Sequence, residues 1–163
     1  VCLVHNAAAM VVDNALETNA DVLSMVLRIN VVAPVIFNQY LIKKMKPGSS
    51  IIYIGSTLSE KGVPNSFSYV TSKHAVVGLT RATCQDLVGM EIHTCCICPG
   101  FTDTEMLRAH VSNDEEILSG LSTLSTFGRL IDPKEIANTV LYAAKNPVLN
   151  GATIHANLGQ IEA

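Results

Sequence analysis

Apolar and polar positions along this chain follow two alternating patterns. Four short runs, 1–7, 50–55, 92–98 and 152–157, are dense in apolar residues and bounded by turn residues or polar breaks. Three of them are rich in Val, Ile or Thr, which predicts buried strands. The stretches between have helical period. From about 20 to 45, Val22, Met25, Val26, Ile29, Val32 and Ile36 form one broad apolar stripe. It ends in Lys43, Lys44 and Lys46 before Pro47-Gly48, a stop signal whose cations suit the negative end of the helix dipole. A second helix is expected over about 68–89, with Ala75, Val76, Leu79, Ala82 and Leu87 inward. A third starts at Asp132-Pro133-Lys134-Glu135, which reads as N-cap, N1 proline and N3 glutamate of a capping box, and runs to about Lys145.

Strands alternating with helices predict parallel pairing through right-handed crossovers, an open α/β sheet in one domain spanning 1–163. The segment 101–131 is too long for a passive connection and carries Met106, Leu107, Leu118, Leu121, Leu124 and Phe127 among polar residues. It reads as an irregular lid over a partly apolar site, or as a variable loop. Composition agrees with burial on both sheet faces: 48% of the residues are hydrophobic and only 15% charged, with a net charge of −3. Such a balance excludes a disordered tail and a basic nucleic-acid module. No apolar run reaches the roughly 18 residues that cross a bilayer, so neither membrane nor nucleic acid is an expected partner. Five cysteines, an odd number, argue against a disulfide framework, and with no spanning run and no basic-then-apolar opening the cytoplasm is the expected location. Cys96 and Cys98 face one side of their strand and Cys95 the other, so the cluster reads as buried thiols and no metal site is assigned.

Candidate chemistry lies at the start of the second helix. Tyr69 and Lys73 are four residues apart and share a helix face. An ammonium beside a phenol lowers its pKa from about 10, which makes tyrosine a usable general acid/base. Ser56, thirteen positions earlier, ends the preceding strand. Ligands of open α/β sheets bind beyond the carboxyl ends of strands, so Ser56 and Tyr69 can converge on one carbonyl oxygen. Pro34 has no N–H for the carbonyl of Asn30, which frees that oxygen to hold a water near Lys73. The alternative is a packing kink without chemical meaning.

Tyr-x-x-x-Lys with a serine thirteen before it and an asparagine in the preceding helix resembles the short-chain dehydrogenases/reductases. His5-Asn6-Ala7-Ala8 is similar to the family's Asn-Asn-Ala-Gly turn, with Ala8 in place of glycine. Pro99-Gly100-Phe101-Thr102-Asp103-Thr104 is similar to its Pro-Gly loop beside the nicotinamide. Gly128 to Ala137 and Gly151 to Gly159 resemble its late helix start and final strand, with Asn157-Leu158 where Asp-Gly is common. The resemblance implies a Rossmann-like doubly wound parallel sheet and hydride transfer between NAD or NADP and a small ketone, aldehyde or alcohol. Tyr69 is then the acid/base, Ser56 holds the substrate oxygen, Lys73 lowers the Tyr69 pKa and bonds the ribose, and Asn30 positions a water. Asn6, Ala7, Ala8, Tyr69, Lys73, Pro99, Gly100, Phe101, Thr102 and Thr104 are the implied cofactor contacts. The family also implies a homodimer or homotetramer through the two long helices, although their stripes would equally cover the sheet.

No Gly-x-x-x-Gly-x-Gly occurs, and the resemblance begins at the family's strand four. At about 30 residues per strand-helix unit, three units are missing, and the chain is expected to be a piece of a longer enzyme with an open edge at its first strand. Two other readings stand beside the reductase. One is an inactive member acting as a binding or regulatory module, disfavoured by the intact Asn30, Ser56, Tyr69 and Lys73. The other is a nucleotide-sugar epimerase or dehydratase, disfavoured by the lack of a larger C-terminal substrate domain.

Overall fold

The computed structural model describes residues 1–160; positions 161–163 of the expected domain lie outside the described residues. Its four strands are β1 (Cys2–His5), β2 (Ser50–Ile54), β3 (His93–Pro99) and β4 (Ala152–Ala156). They lie side by side in chain order and all pair in parallel. The period-2 reading of β3 holds. Cys96 and Cys98 pack with Ile51, Tyr53, Val76 and Val77 on one face. Cys95 and Ile97 pack with Ile52 and Ala143 on the other. Each such Ile or Val contributes about 1.5–3 kcal/mol by leaving water. The open α/β class is therefore the observed one, with a core on each side of the sheet.

β1 departs from the buried-strand expectation. Cys2 is exposed and Val4 is 40% exposed, because β1 is the sheet edge and has a neighbour on one side only.

The first helical stretch differs more. It comprises α1 (Ala20–Leu27), a π-helical turn (Arg28–Val32), α2 (Ala33–Leu41) and a 3₁₀ turn (Ile42–Lys44). The stripe predicted to face the core faces out: Met25, Ile29, Val32 and Ile36 are 39–48% exposed, and of the stripe only Val26 is fully buried. The inward row is Val26, Asn30, Pro34 and Asn38, spaced four apart. Hydrophobicity alone selected the wrong face, because two inward positions are hydrogen-bonded asparagines. The stretch Ala20–Lys44, 25 residues at hydropathy 1.8, is also long and apolar enough to cross a membrane by length and composition. Counting uninterrupted apolar runs had missed it, since Asp21, Arg28 and Asn30 break the run without lowering the average much. Its buried asparagines dock it on protein: Asn38 Nδ2 donates to Tyr53 Oη at 2.6 Å, and Asn38 Oδ1 lies 2.8 Å from His5 Nε2.

α3 spans Phe67–Asp86, three residues shorter at its end than expected. Ala82 of its predicted stripe is exposed. The inward positions are Ser68, Ser72, Lys73, Val76, Val77, Thr80 and Thr83. The 101–131 segment is not irregular either. It folds into α4 (Glu105–His110) and α5 (Glu115–Ser122), capped by Thr104 and Asp114, and only Leu118 of its expected apolar residues is fully buried. α6 (Pro133–Lys145) begins as expected. Asp132 accepts the Lys134 amide at 2.8 Å and Glu135 accepts the Asp132 amide at 2.9 Å. The same Glu135 carboxylate takes a bidentate bond from Arg129 at 2.7 and 2.8 Å, which holds it well below the usual carboxylate range, at about 2.

Candidate active site

Three segments leave the carboxyl ends of the strands side by side: 6–9 after β1, 55–59 after β2 and 100–104 after β3. In β2 the chain leaves the sheet at Gly55, where a Cβ would lie 2.8 Å from Cys98 Sγ, 2.9 Å from Cys96 Sγ and 2.9 Å from Ser59 Oγ. Only glycine lets the backbone pass so close to the two thiols. Ser56 then caps a short 3₁₀ turn, Thr57–Ser59. Its Oγ accepts the Leu58 amide at 3.1 Å, and its own amide donates to Ser59 Oγ at 3.1 Å. The turn leaves the Ser56 hydroxyl on the Tyr69 side, near enough to the phenol to draw its pKa down.

Tyr69 is the third residue of α3, and Lys73 lies one turn on. The ammonium stands 5.4 Å from the centre of the Tyr69 ring and donates to the Ile54 carbonyl at 2.8 Å. Lys73 is 3% exposed. Burial pulls its pKa down to about 8, against a smaller opposing pull from the Cys96 and Cys98 thiols. The expected lowering of the Tyr69 pKa is not what the folded site gives. Burial raises the phenol above its ordinary value, and the Ser56 hydroxyl offsets only part of that rise. The lysine stands beside the ring and is tied to a backbone carbonyl, so desolvation outweighs it.

Asn30 sits in the π-helical turn, three residues before helix α2 begins at Ala33-Pro34. Its side chain is fully used inside the protein. Oδ1 accepts the Ala9 amide at 2.7 Å, and Nδ2 donates to the Ala9 carbonyl and to Ser72 Oγ, both at 2.9 Å. Ser72 Oγ in turn donates to the Tyr69 carbonyl at 2.8 Å. A continuous chain of bonds thus runs from the turn after β1 to the backbone of Tyr69.

The remaining sequence candidates divide. Asn6 and Ala7 are exposed and Ala8 half-buried, on the turn that Asn30 pins through Ala9. Pro99 ends β3, and Gly100 donates its amide to Ala156 at 3.1 Å. A Cβ on Gly100 would stand 3.0 Å from Asn157 Cα, so this glycine is required by the close approach of the chain after β4. The two hydroxyls beyond it are occupied: Thr102 Oγ1 donates to the Gly100 carbonyl at 3.0 Å, and Thr104 Oγ1 accepts the Leu107 amide at 3.3 Å. Sequence reasoning missed Ser72 and Asp13. Asp13 accepts the Ser68 amide at 3.0 Å and bonds to the Ser68 and Thr18 hydroxyls. Neither belongs to a recognisable spacing, since each acts on a segment distant in sequence.

A groove of about 540 Å³ lies between the β1–α1 connection and α4, lined by Met10, Val12, Met106, Ala109, His110 and Ser112. A larger recess of about 890 Å³, lined by Gly48, Leu87, Glu91 and His93 among others, opens at the amino ends of the strands, away from Ser56 and Tyr69. Among the described residues no three His, Cys, Asp or Glu side chains are grouped to hold a metal ion.

Comparison with known proteins gives the same picture. Residues 2–160 match the family model described as "Enoyl-(Acyl carrier protein) reductase". An uncharacterized oxidoreductase of Thermotoga maritima is 33% identical over 147 residues, covering 87% of this chain and 59% of that protein. A short chain dehydrogenase family protein from Francisella tularensis superposes with a TM-score of 0.91 at 26% identity, over 97% of this chain and 69% of that one. Angucycline C-6 ketoreductase LanV, solved with bound NADP, superposes with a TM-score of 0.89 at 28% identity, over 97% and 61%. The chain spans about half the length of the curated relatives it matches. With the parallel sheet, the serine, tyrosine and lysine at its carboxyl edge and a family model matched over residues 2–160, the chain belongs to the short-chain dehydrogenase/reductase family.

Proposed function

We propose that this chain carries the catalytic set of an NAD- or NADP-dependent oxidoreductase that interconverts a ketone or aldehyde with an alcohol. One observation carries the reading. Ser56, at the carboxyl edge of the sheet, and Tyr69, in the first turn of α3, lie on the same side as a buried lysine ammonium 5.4 Å from the Tyr69 ring. The residues present fit the nicotinamide end of a dinucleotide. Lys73 spends one of its three donors on Ile54, which leaves two for a ribose. The small side chains of Ala7 and Ala8 allow close approach. Asn6, Ala7, Ala8, Pro99, Gly100 and Phe101 would line it. The dinucleotide supplies or takes the hydride when bound.

The chain's own residues manage the proton. Ser56 Oγ donates to the substrate oxygen and fixes it. Tyr69 Oη gives that oxygen a proton as negative charge develops on it, or removes one from the alcohol in the reverse direction. A phenol held above its ordinary pKa rests protonated at neutral pH, the form in which it can serve as the acid. An inactive binding module has no feature in its favour.

The outward stripe of α1 and α2 supports a second proposal, that two or four copies associate. Met25, Ile29, Val32, Ile36 and Tyr40 are 39–70% exposed along one side of the two helices. A contiguous apolar face of this kind marks an interface. Light scattering on the full-length protein is expected to give two or four times the monomer mass, reduced to one by Ile36→Glu with Tyr40→Glu; a monomeric unmodified protein refutes the association.

For the activity, the full-length protein is titrated with NADH and NADPH by fluorescence and then given a panel of ketones and aldehydes. Saturable binding of at least one dinucleotide and its oxidation by a carbonyl compound are expected. Failure to bind either sinks the reading.

A further inference from the structure

α3 lacks a cap of its own. Ser66 precedes it but makes no side-chain bond to the first turn. Four amides at a helix start need acceptors, and the positive end of the dipole favours an anion. Both needs are met from a distant segment. The Asp13 main-chain carbonyl accepts the Phe67 amide at 3.1 Å, and its carboxylate accepts the Ser68 amide at 3.0 Å. The carboxylate also takes the hydroxyls of Ser68 and Thr18, while the Asp13 amide donates to Asn65 at 3.3 Å. Ser66 and Ser68 are buried beneath these contacts. Burial opposes ionisation of Asp13, but the bonds from Ser68 and Thr18 outweigh it and hold the carboxyl below its ordinary range. The clamp is therefore an anion at neutral pH.

Asp13 belongs to the same connection as the Asn6–Ala8 turn and the groove residues Met10 and Val12. Tyr69 follows the clamped Ser68 directly. On the far side of the same helical turn, Ser72 ties the Tyr69 carbonyl through Asn30 to Ala9. Two clamps, at Ala9 and Asp13, thus fasten the wall of the site to the turn that carries the phenol.

We infer that Asp13 is a positioning residue for the reaction: as a cap supplied from the β1–α1 connection, it sets the place of Tyr69 relative to the groove and the cofactor turn. The inference rests on Tyr69 being the acid/base. A displacement of about 1 Å at a reacting group costs on the order of 100-fold in rate, and a lost cap allows movement on that scale.

The test uses the full-length protein. Asp13→Ala is expected to lower kcat by about 10- to 100-fold, leave dinucleotide affinity unchanged, and speed amide exchange at Ser68 and Tyr69 without affecting the rest of α3. Asp13→Asn, which can still accept the Ser68 amide, is expected to recover most of kcat. Ser68→Ala, which keeps that amide bond and loses only the hydroxyl, serves if Asp13→Ala does not fold; it is expected to lower kcat by a smaller factor. Asn14→Ala, which disturbs the same connection without touching α3, is expected to change nothing. Unaltered kcat in Asp13→Ala or, where that does not fold, in Ser68→Ala overturns the inference, as does equal loss in Asp13→Asn and Asp13→Ala. Tyr69→Phe in parallel separates the two levels: if it keeps its activity, the acid/base reading has failed, whatever Asp13 does.

Discussion

Tyr69→Phe is expected to lower kcat/KM for carbonyl reduction by about 10²- to 10⁴-fold, the range of a lost general acid, with dinucleotide affinity retained. The substitution removes one hydroxyl from a ring that packs against the Lys73 side chain. The ring stays, so the groove and the cofactor turn keep their shape. What goes is the proton donor. Because burial disfavours the phenolate, removing the hydroxyl costs no favourable charge, and folding stability is expected to be unchanged or slightly higher. Stopped-flow reduction of the best substrate, with a parallel dinucleotide titration, checks both parts. Turnover within tenfold of the unmodified protein would remove Tyr69 from its role.

Lys73→Met has an equally large and more unusual expected outcome, in which activity and stability move apart. Activity is expected to fall by about 100-fold or more, since the ammonium favours the transient phenolate. Stability behaves differently. A folded-state pKa of about 8 lies below the ordinary 10.5, so the unfolded chain binds this proton more tightly than the folded one. The buried cation therefore opposes folding by about 3 kcal/mol below pH 8, and the opposition disappears as pH rises towards 10.5. Methionine fills similar space without charge but leaves the Ile54 carbonyl unpaired, a cost of about 1–3 kcal/mol. Near pH 7 the variant is expected to match or slightly exceed the parent. Between pH 8 and pH 10.5 the parent gains stability relative to it. Urea unfolding at a series of pH values reads this directly; a constant difference across that window would show that Lys73 is not held at a depressed pKa.

The two predictions mark where sequence reading succeeded and where it stopped. Ser56, Tyr69 and Lys73 were legible because their chemistry depends on short spacings along one strand end and one helix. The capping box at Asp132 and Glu135 was legible for the same reason: all its partners lie within four residues. The alternation of Cys95 against Cys96 and Cys98 followed from the two-residue period of a strand. Spacing did not reveal the sign of the Tyr69 shift. Desolvation depends on everything packed around a group, and Lys73 turned out to be bonded to a strand carbonyl beside the ring. The lid was misread as irregular because α4 and α5 are only 6 and 8 residues long, too short for a helical period to stand out.

The amino-acid sequence by itself determined the α/β class, the alternation of strands and helices, the start of α6 with its local capping box, and the candidate serine, tyrosine and lysine. These follow from interactions between residues a few positions apart, or from apolar periodicity. The tertiary structure alone decided which face of the Ala20–Lys44 stretch turns inward, since that row is held by Asn30 and Asn38 bonding to distant partners. It alone decided that α3 is capped by Asp13, 55 positions away from Ser68. It also decided that the phenol is raised, because burial is a property of the assembled site.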